Sequence, residues 1–183
     1  MFFLFCILFS GPVVSYSQDT LVDRQNKLKI NVVSGSSVVE TTWKRQRIKA
    51  TGVMWLINIT RLATLRHPLI SSGTWRLKRS AYNHSFDMAR SGRFGHYGFE
   101  KRSLQFNFDG ENVHYSSNEL SISFIIYLDW LFSIGHRKNM LNYGHLFTGI
   151  GICKQKVKIK SHINGKWKTV SKKNKVYSTQ VFR

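Results

Sequence analysis

The stretch Ile134-Gly135-His136-Arg137-Lys138-Asn139-Met140-Leu141 decides how this chain is read, because it sets an imidazole beside a glycine directly after an apolar run. Two other segments share that design. Phe94-Gly95-His96 and Gly110-Glu111-Asn112 also put a metal ligand or acid/base group next to a residue that lets the backbone turn tightly. Two imidazoles and a carboxylate are the ingredients of an open zinc site or of a polar pocket. His96 and His136 are far apart in the chain, so spacing alone does not make them neighbours.

Working outward from His136, Ser116 and Glu119 form an S-x-x-E capping box ahead of Leu120–Phe132. That stretch is apolar almost all round and predicts a helix buried on most sides. It is expected to stop near Gly135 and deliver His136 at a helix end, with a short helix at Lys138–Leu141. Upstream, Leu56, Ile59 and Leu62 recur at helical spacing, with Arg61 and Arg66 for the wet side and Pro68 as the stop. A second helix is predicted over Trp75–Ser91, with Tyr82, Phe86 and Ala89 as its apolar stripe and Gly92 closing it. Arg93–Asn107 reads as a loop carrying His96.

The C-terminal third alternates with a period of two, Val157 and Ile159 between Lys156, Lys158 and Lys160. Asn164-Gly165 is the preferred dipeptide of a type I′ hairpin, and Lys166-Trp167-Lys168-Thr169-Val170 returns. Nine lysines, Lys154, Lys156, Lys158, Lys160, Lys166, Lys168, Lys172, Lys173 and Lys175, fall here with no acid among them. The expectation is a lysine comb on one face, either a polyanion-binding surface or a guard against edge-to-edge strand pairing.

Composition bounds the class. Residues 1–17 carry no charge, Phe2–Phe9 are apolar, and Ser15-Tyr16-Ser17 offers small-x-small before Gln18, which reads as a secretory signal peptide. The run is shorter than the ~20 apolar residues a spanning helix needs, and no later segment reads as transmembrane. Residues 18–50 read as a basic, polar extension, with a short strand at Lys29–Val33. Residues 51–183 hold the main domain. Past the leader Cys153 is the only cysteine, so no internal disulfide is available, and its apolar neighbours make it a small buried residue. The formal charge is +19, and after Asp129 there are twelve Lys and Arg and no acid. Such a chain is drawn to anionic lipid, glycan or nucleic acid, or is simply kept soluble.

The segments Ala81–Gly92, Gly110-Glu111-Asn112, Trp130–Leu141, Thr148-Gly149-Ile150-Gly151-Ile152 and Tyr177-Ser178-Thr179-Gln180-Val181-Phe182, in this order, resemble the CAP superfamily of cysteine-rich secretory, antigen 5 and pathogenesis-related proteins, in its bacterial SCP-domain branch. The resemblance implies an α+β fold, the CAP-type α-β-α sandwich, with an antiparallel sheet of three or four strands between helices. It implies a cleft where His96, Glu111 and His136 meet, with Asn112 and Arg137 beside them, and a zinc ion held by His96 and His136 in some members. Where eukaryotic members carry a second glutamate, three residues after the tryptophan, this chain has Ser133.

Glu111 therefore has two readings, a general base beside a metal-bound water or a structural acceptor of hydrogen bonds. His84 reads as a buried, hydrogen-bonded histidine, and Thr179 and Gln180 as strand residues near the cleft floor. Three functions follow: a secreted ligand- or metal-binding module with a basic surface, a metal-assisted hydrolase using His96, His136 and Glu111, and a carrier of apolar ligands.

Overall fold

The computed structural model describes residues 28–34, 37–64, 70–117 and 122–183. The expected signal peptide, Arg66, Pro68 and Glu119 of the capping box lie outside these residues. The elements in chain order are β1 Leu28–Ser34, β2 Ser37–Arg45, α1 Arg47–Ala63, β3 Ser71–Ser72, α2 Trp75–Ser91, α3 Phe99–Phe106, β4 Gly110–Ser116, α4 Ile122–Phe132, α5 Ile134–Met140, β5 Phe147–Ile163 and β6 Lys166–Phe182.

The long β5–β6 hairpin is the spine. Asn164 and Gly165 turn it with φ of 51° and 74°, the left-handed pair that a type I′ turn requires. The main sheet runs β1-β2-β5-β6-β4 with antiparallel neighbours, and the two-residue β3 adds a parallel pairing to the start of β5. β4 pairs only with the last part of β6, Val176–Phe182, and forms the sheet edge there.

Alternate residues of the spine feed two cores, as the two-residue strand period demands. Ile150, Ile152, Val176 and Phe182 face Val53 and Ile57 of α1 and Ile126 and Trp130 of α4. Cys153 and Tyr177 face Met88 and Ala89 of α2, and Val181 meets Leu77 and Ala81 of the same helix. Helices therefore cover both faces of an antiparallel sheet, an α-β-α sandwich of the α+β class.

α2 sits on the sheet nearly backbone to backbone. A Cβ at Gly149 would fall 2.3 Å from the Leu77 carbonyl carbon, and one at Gly151 would fall 2.2 Å from the Tyr82 nitrogen. Ser85 uses the same closeness to donate to the Gly151 carbonyl at 2.8 Å.

Several elements differ from the sequence reading. In the segment read as an extension, Leu28–Ser34 and Ser37–Arg45 are strands, and β2 pairs with β5 from Ser37↔Ser161 to Arg45↔Cys153. This hairpin widens the sheet beyond the expected three or four strands. The strand expected at Lys29–Val33 lies within β1, whereas the sequence does not announce β2, since its residues other than Trp43 are only partly buried or exposed. Arg93–Asn107 contains the helix α3, whose core-packed residues Phe99 and Phe106 stand at its two ends and are only partly buried.

The buried stripe of α1 is Val53, Ile57 and Arg61, not Leu56, Ile59 and Leu62. Arg61 is fully buried because its guanidinium donates to the carbonyls of Met140 at 2.8 Å and Asn142 at 3.0 Å, at the end of α5. Nor is α4 buried on most sides, since Phe124 and Phe132 are exposed. His136 lies within the first turn of α5, which begins before Gly135.

The register also divides the lysines. Lys154, Lys156, Lys158 and Lys160 share one face of the hairpin with Lys172, whereas Lys173 and Lys175 sit opposite Val157 and Gln155 on the other, with Lys166 and Lys168 opposite Ile163 and Ser161. The bulge between Ile159 and Lys160 breaks the simple alternation of β6.

Because the α2 backbone leaves no room for a side chain, Gly151→Ala is expected to lower stability by about 3 kcal/mol. Urea unfolding checks this, and a change below about 0.5 kcal/mol would mean that helix and sheet are not in this contact.

Candidate functional site

The site forms at the edge that β4 presents. Its outward carbonyls are not left bare: Trp130 Nε1 donates to Val113 O at 3.2 Å and Asn139 Nδ2 to Glu111 O at 3.3 Å. Buried backbone acceptors need such partners. These two bonds fix α4 and α5 against the strand.

Glu111 and Asn112, as consecutive strand residues, point to opposite faces. Asn112 is fully buried under α5, where Nδ2 donates to the His136 carbonyl at 3.1 Å and Oδ1 accepts from Asn139 at 2.9 Å. Its amide ties the sheet to the helix that carries His136.

Glu111 projects to the α2 side, and its side chain is 1% exposed. Arg102 of α3 grips both carboxylate oxygens, with Nη2 2.9 Å from Oε1 and 2.6 Å from Oε2, and the same guanidinium donates to the Tyr97 carbonyl. His96 Nδ1 donates to Oε1 at 3.1 Å. His84 lies 3.8 Å from Oε1 but spends its Nε2 proton on the Gly95 carbonyl at 2.9 Å.

Burial alone would raise the pKa of Glu111. The His96 hydrogen bond, His84 and the Arg102 bond and charge outweigh it and hold the carboxyl below the usual glutamate range. Burial lowers the pKa of His84 and keeps it neutral near pH 7, so the permanent charge of Arg102 is the firmest of these causes.

His96 and His136 come together around the β4 edge, with ring centroids 6.5 Å apart. His96 is half exposed, and its Nδ1 contact with Glu111 leaves Nε2 turned to other partners. Burial, then the charge of His96, lower the pKa of His136, while Asp129 pulls the other way. A carboxylate behind a histidine is the usual support for a metal-ligating ring.

Among the described residues, however, no group of three His, Cys, Asp or Glu side chains is placed to hold a metal. Tetrahedral sharing at about 2.0–2.1 Å per bond would bring the centroids to roughly 5 Å. The residues suit a weak two-imidazole site whose rings stand wider apart than shared coordination needs, and they do not form a closed cage.

Ser133, which stands where the resemblance would put a second acid, is the residue before α5, and its carbonyl accepts from Arg137 N at 2.8 Å. The acid nearest in sequence, Asp129, is engaged with His114, Oδ2 to Nδ1 at 2.8 Å. Burial lowers the pKa of His114 despite this partner. His114 Nε2, Ser178 Oγ and Gln180 Nε2 are buried without a hydrogen-bond partner among the described residues, and His114 and Ser178 are directly paired across β4 and β6.

No hydrogen bond or ion pair joins Arg137 to Glu111 among the described residues. Arg137 donates to the Leu131 carbonyl at 3.2 Å and lines a groove of about 460 Å³ with Lys138, Leu141, Asn142 and Tyr143. Thr179 and Gln180 are buried in β6, and Cys153 is buried with its thiol pushed up to about 12, which makes it inert.

Two residues of the site escaped the sequence reading. Arg102 was hidden in the presumed loop. His114 could have been found from the strand alternation, since it shares a face with Asn112.

No family model and no curated protein matches the chain. Among solved structures it is similar to an outer surface protein of Borrelia burgdorferi, with a TM-score of 0.50 and 10% identity over 76% of this chain and 96% of that one. It is also similar to a cysteine-rich secretory protein of Staphylococcus aureus, with a TM-score of 0.48 and 11% identity over 87% of this chain and 61% of that one. Likeness at such identity concerns the fold alone.

Removing Arg102 strands a buried carboxylate, so Arg102→Ala is expected to cost about 3–5 kcal/mol in urea unfolding at pH 7. Glu111 has a folded pKa below its unfolded value of about 4.3, so its pairing stabilises the fold above that pH and is lost as pH falls through the folded value. Glu111→Gln should therefore flatten the acid limb of the stability curve below about pH 4.3. An unchanged acid limb would show that the carboxylate is not held in this way.

Proposed function

We propose that this chain is a secreted protein of the CAP type that works as a binding module, taking up a small ligand or a divalent ion between His96 and His136 and meeting anionic partners through its lysine-rich sheet. The order of the five motif segments and the α-β-α arrangement support the family reading, and the apolar, uncharged leader supports export.

The observation that carries a binding role over a hydrolytic one is the state of Glu111. A general base needs a lone pair aimed at water and a pKa near working pH. Glu111 is sealed, gripped on both oxygens by Arg102 and pushed toward permanent ionisation. Its part is to orient His96, with Nδ1 toward the carboxylate and Nε2 toward the ligand.

If zinc binds, His96 Nε2 and His136 would hold it, and the ion would polarise whatever oxygen ligand completes its shell. Neutral imidazoles are required for this, and the lowered pKa of His136 favours that form. With two protein ligands, affinity should be modest.

Calorimetric titration of zinc is expected to show one weak site at pH 7.5 that fades as pH drops below about 6.5 and disappears in His96→Ala and His136→Ala. A screen of phosphodiester, ester and peptide substrates should find no turnover. Turnover abolished by Glu111→Gln in a folded protein would overturn the binding reading in favour of the hydrolase.

A further inference from the structure

Among the described residues, no helix covers the far end of the sheet. The last side-chain bond between α2 and β5 is Gln155 Nε2 to Ala89 O, two residues before the helix ends at Ser91. From Lys154 to Lys175 no residue is buried. Eight further residues of β5, 156–163, run past that point at about 3.3 Å each, so the hairpin reaches roughly 25 Å beyond the helix.

Its distal end carries apolar side chains in the open: Ile163 at 39% exposure, Trp167 at 50% and Val170 at 52%, with His162 packed edge-on against Trp167. Around them stand Lys166, Lys168, Lys172 and Lys173, all exposed, distributed over both faces. Lys160 is paired with Glu40 at 3.0 Å and contributes less.

We propose that this hairpin end is a membrane-docking element, with Trp167, Ile163 and Val170 entering the interfacial layer of a bilayer rich in anionic lipid while the surrounding lysines meet its headgroups. The inference rests on the reading that the basic sheet serves anionic partners, and it names that partner.

Three observations favour lipid over a polyanionic polymer. Beside Trp167 the exposed groups are aliphatic, Ile163 and Val170, which suit acyl chains and offer a base no ring to stack on. Lysines flank the tip on both faces, which suits entry into a plane and not the tracking of a strand along one groove. The nine basic residues between Lys154 and Lys175 are all lysine, a point charge that binds phosphate without the bidentate fork arginine uses to recognise nucleic acid.

The test is co-sedimentation of the full chain with phosphatidylcholine vesicles, with and without about 30 mol% phosphatidylserine, at about 0.15 M salt, beside elution from heparin. Wild type should bind the anionic vesicles and leave the neutral ones largely unbound. Trp167→Ala and, separately, Ile163→Ser should each reduce anionic-vesicle partition by about fivefold or more with the heparin elution salt unchanged. The triple change Lys166→Glu, Lys168→Glu and Lys173→Glu should reduce both, and circular dichroism verifies that each variant folds.

Heparin retention without vesicle binding would overturn the membrane inference and leave the anionic-partner reading standing. So would tip variants that bind vesicles as wild type does, or equal binding to neutral vesicles. Absence of binding to either would overturn both.

Discussion

A carboxylate placed where water cannot reach it must find cations or donors, because an unpaired buried charge costs several kcal/mol. Glu111 is that carboxylate, and much of the site follows from it. Arg102 has to arrive from outside the sheet, so the chain folds α3 directly after the His96 segment. Gly98, with φ of 69°, starts that helix. With Arg102 holding both oxygens, His96 is left to contact one of them through Nδ1, which fixes how its ring presents Nε2. The orientation of the half-exposed histidine is thus set by a buried ion pair, not by packing of its own.

The partner histidine is fixed by different chemistry on the other side of the same strand. Asn112 and Asn139 bridge β4 to α5 with amide hydrogen bonds, and Trp130 closes the next carbonyl of the edge. β4 is therefore both the last strand of the sheet and the wall between two supports, ionic for His96 and amide for His136. α2 in turn lies close enough to β5 for Ser85 to reach the Gly151 carbonyl, which Gly149 and Gly151 permit, and His84 on the same helix holds the Gly95 carbonyl next to His96.

Much of this was legible in the sequence where local chemistry is strong. Asn164-Gly165, the α2 bounds closed by Gly92, the buried His84 and the buried Cys153 follow from short-range rules. The buried face of α2, by contrast, runs through Leu77, Ala81, His84, Ser85 and Met88 beside Ala89, with Tyr82 and Phe86 only partly buried. The strand at Lys29–Val33 was legible and falls within β1, but β2 and its pairing with β5 were not, because most of Ser37–Arg45 is only partly buried and shows no clear apolar alternation. α1 was misread by one face because a fully buried arginine, Arg61, replaces the apolar residue the pattern seeks, and only the carbonyls of Met140 and Asn142 make that burial tolerable. That His96, Glu111 and His136 lie close in space follows from the resemblance and not from their spacing in the chain. The residue that decides the role of Glu111 is Arg102, nine positions away in an unremarked helix, and its pairing is a tertiary fact.

The resulting picture is a rigid, charge-compensated support behind two imidazoles, with a basic sheet extending from the same scaffold. Its central claim is that Glu111 is a held anion and not a working base. The most direct measurement is a carbon-13 NMR titration of the Glu111 side-chain carboxyl in the wild-type protein. The account predicts a midpoint below the free glutamate value of about 4.3, because the His96 hydrogen bond, His84 and the Arg102 pair together outweigh burial. A midpoint raised well above about 4.3, toward neutrality, would contradict it and return Glu111 to the role of acid or base.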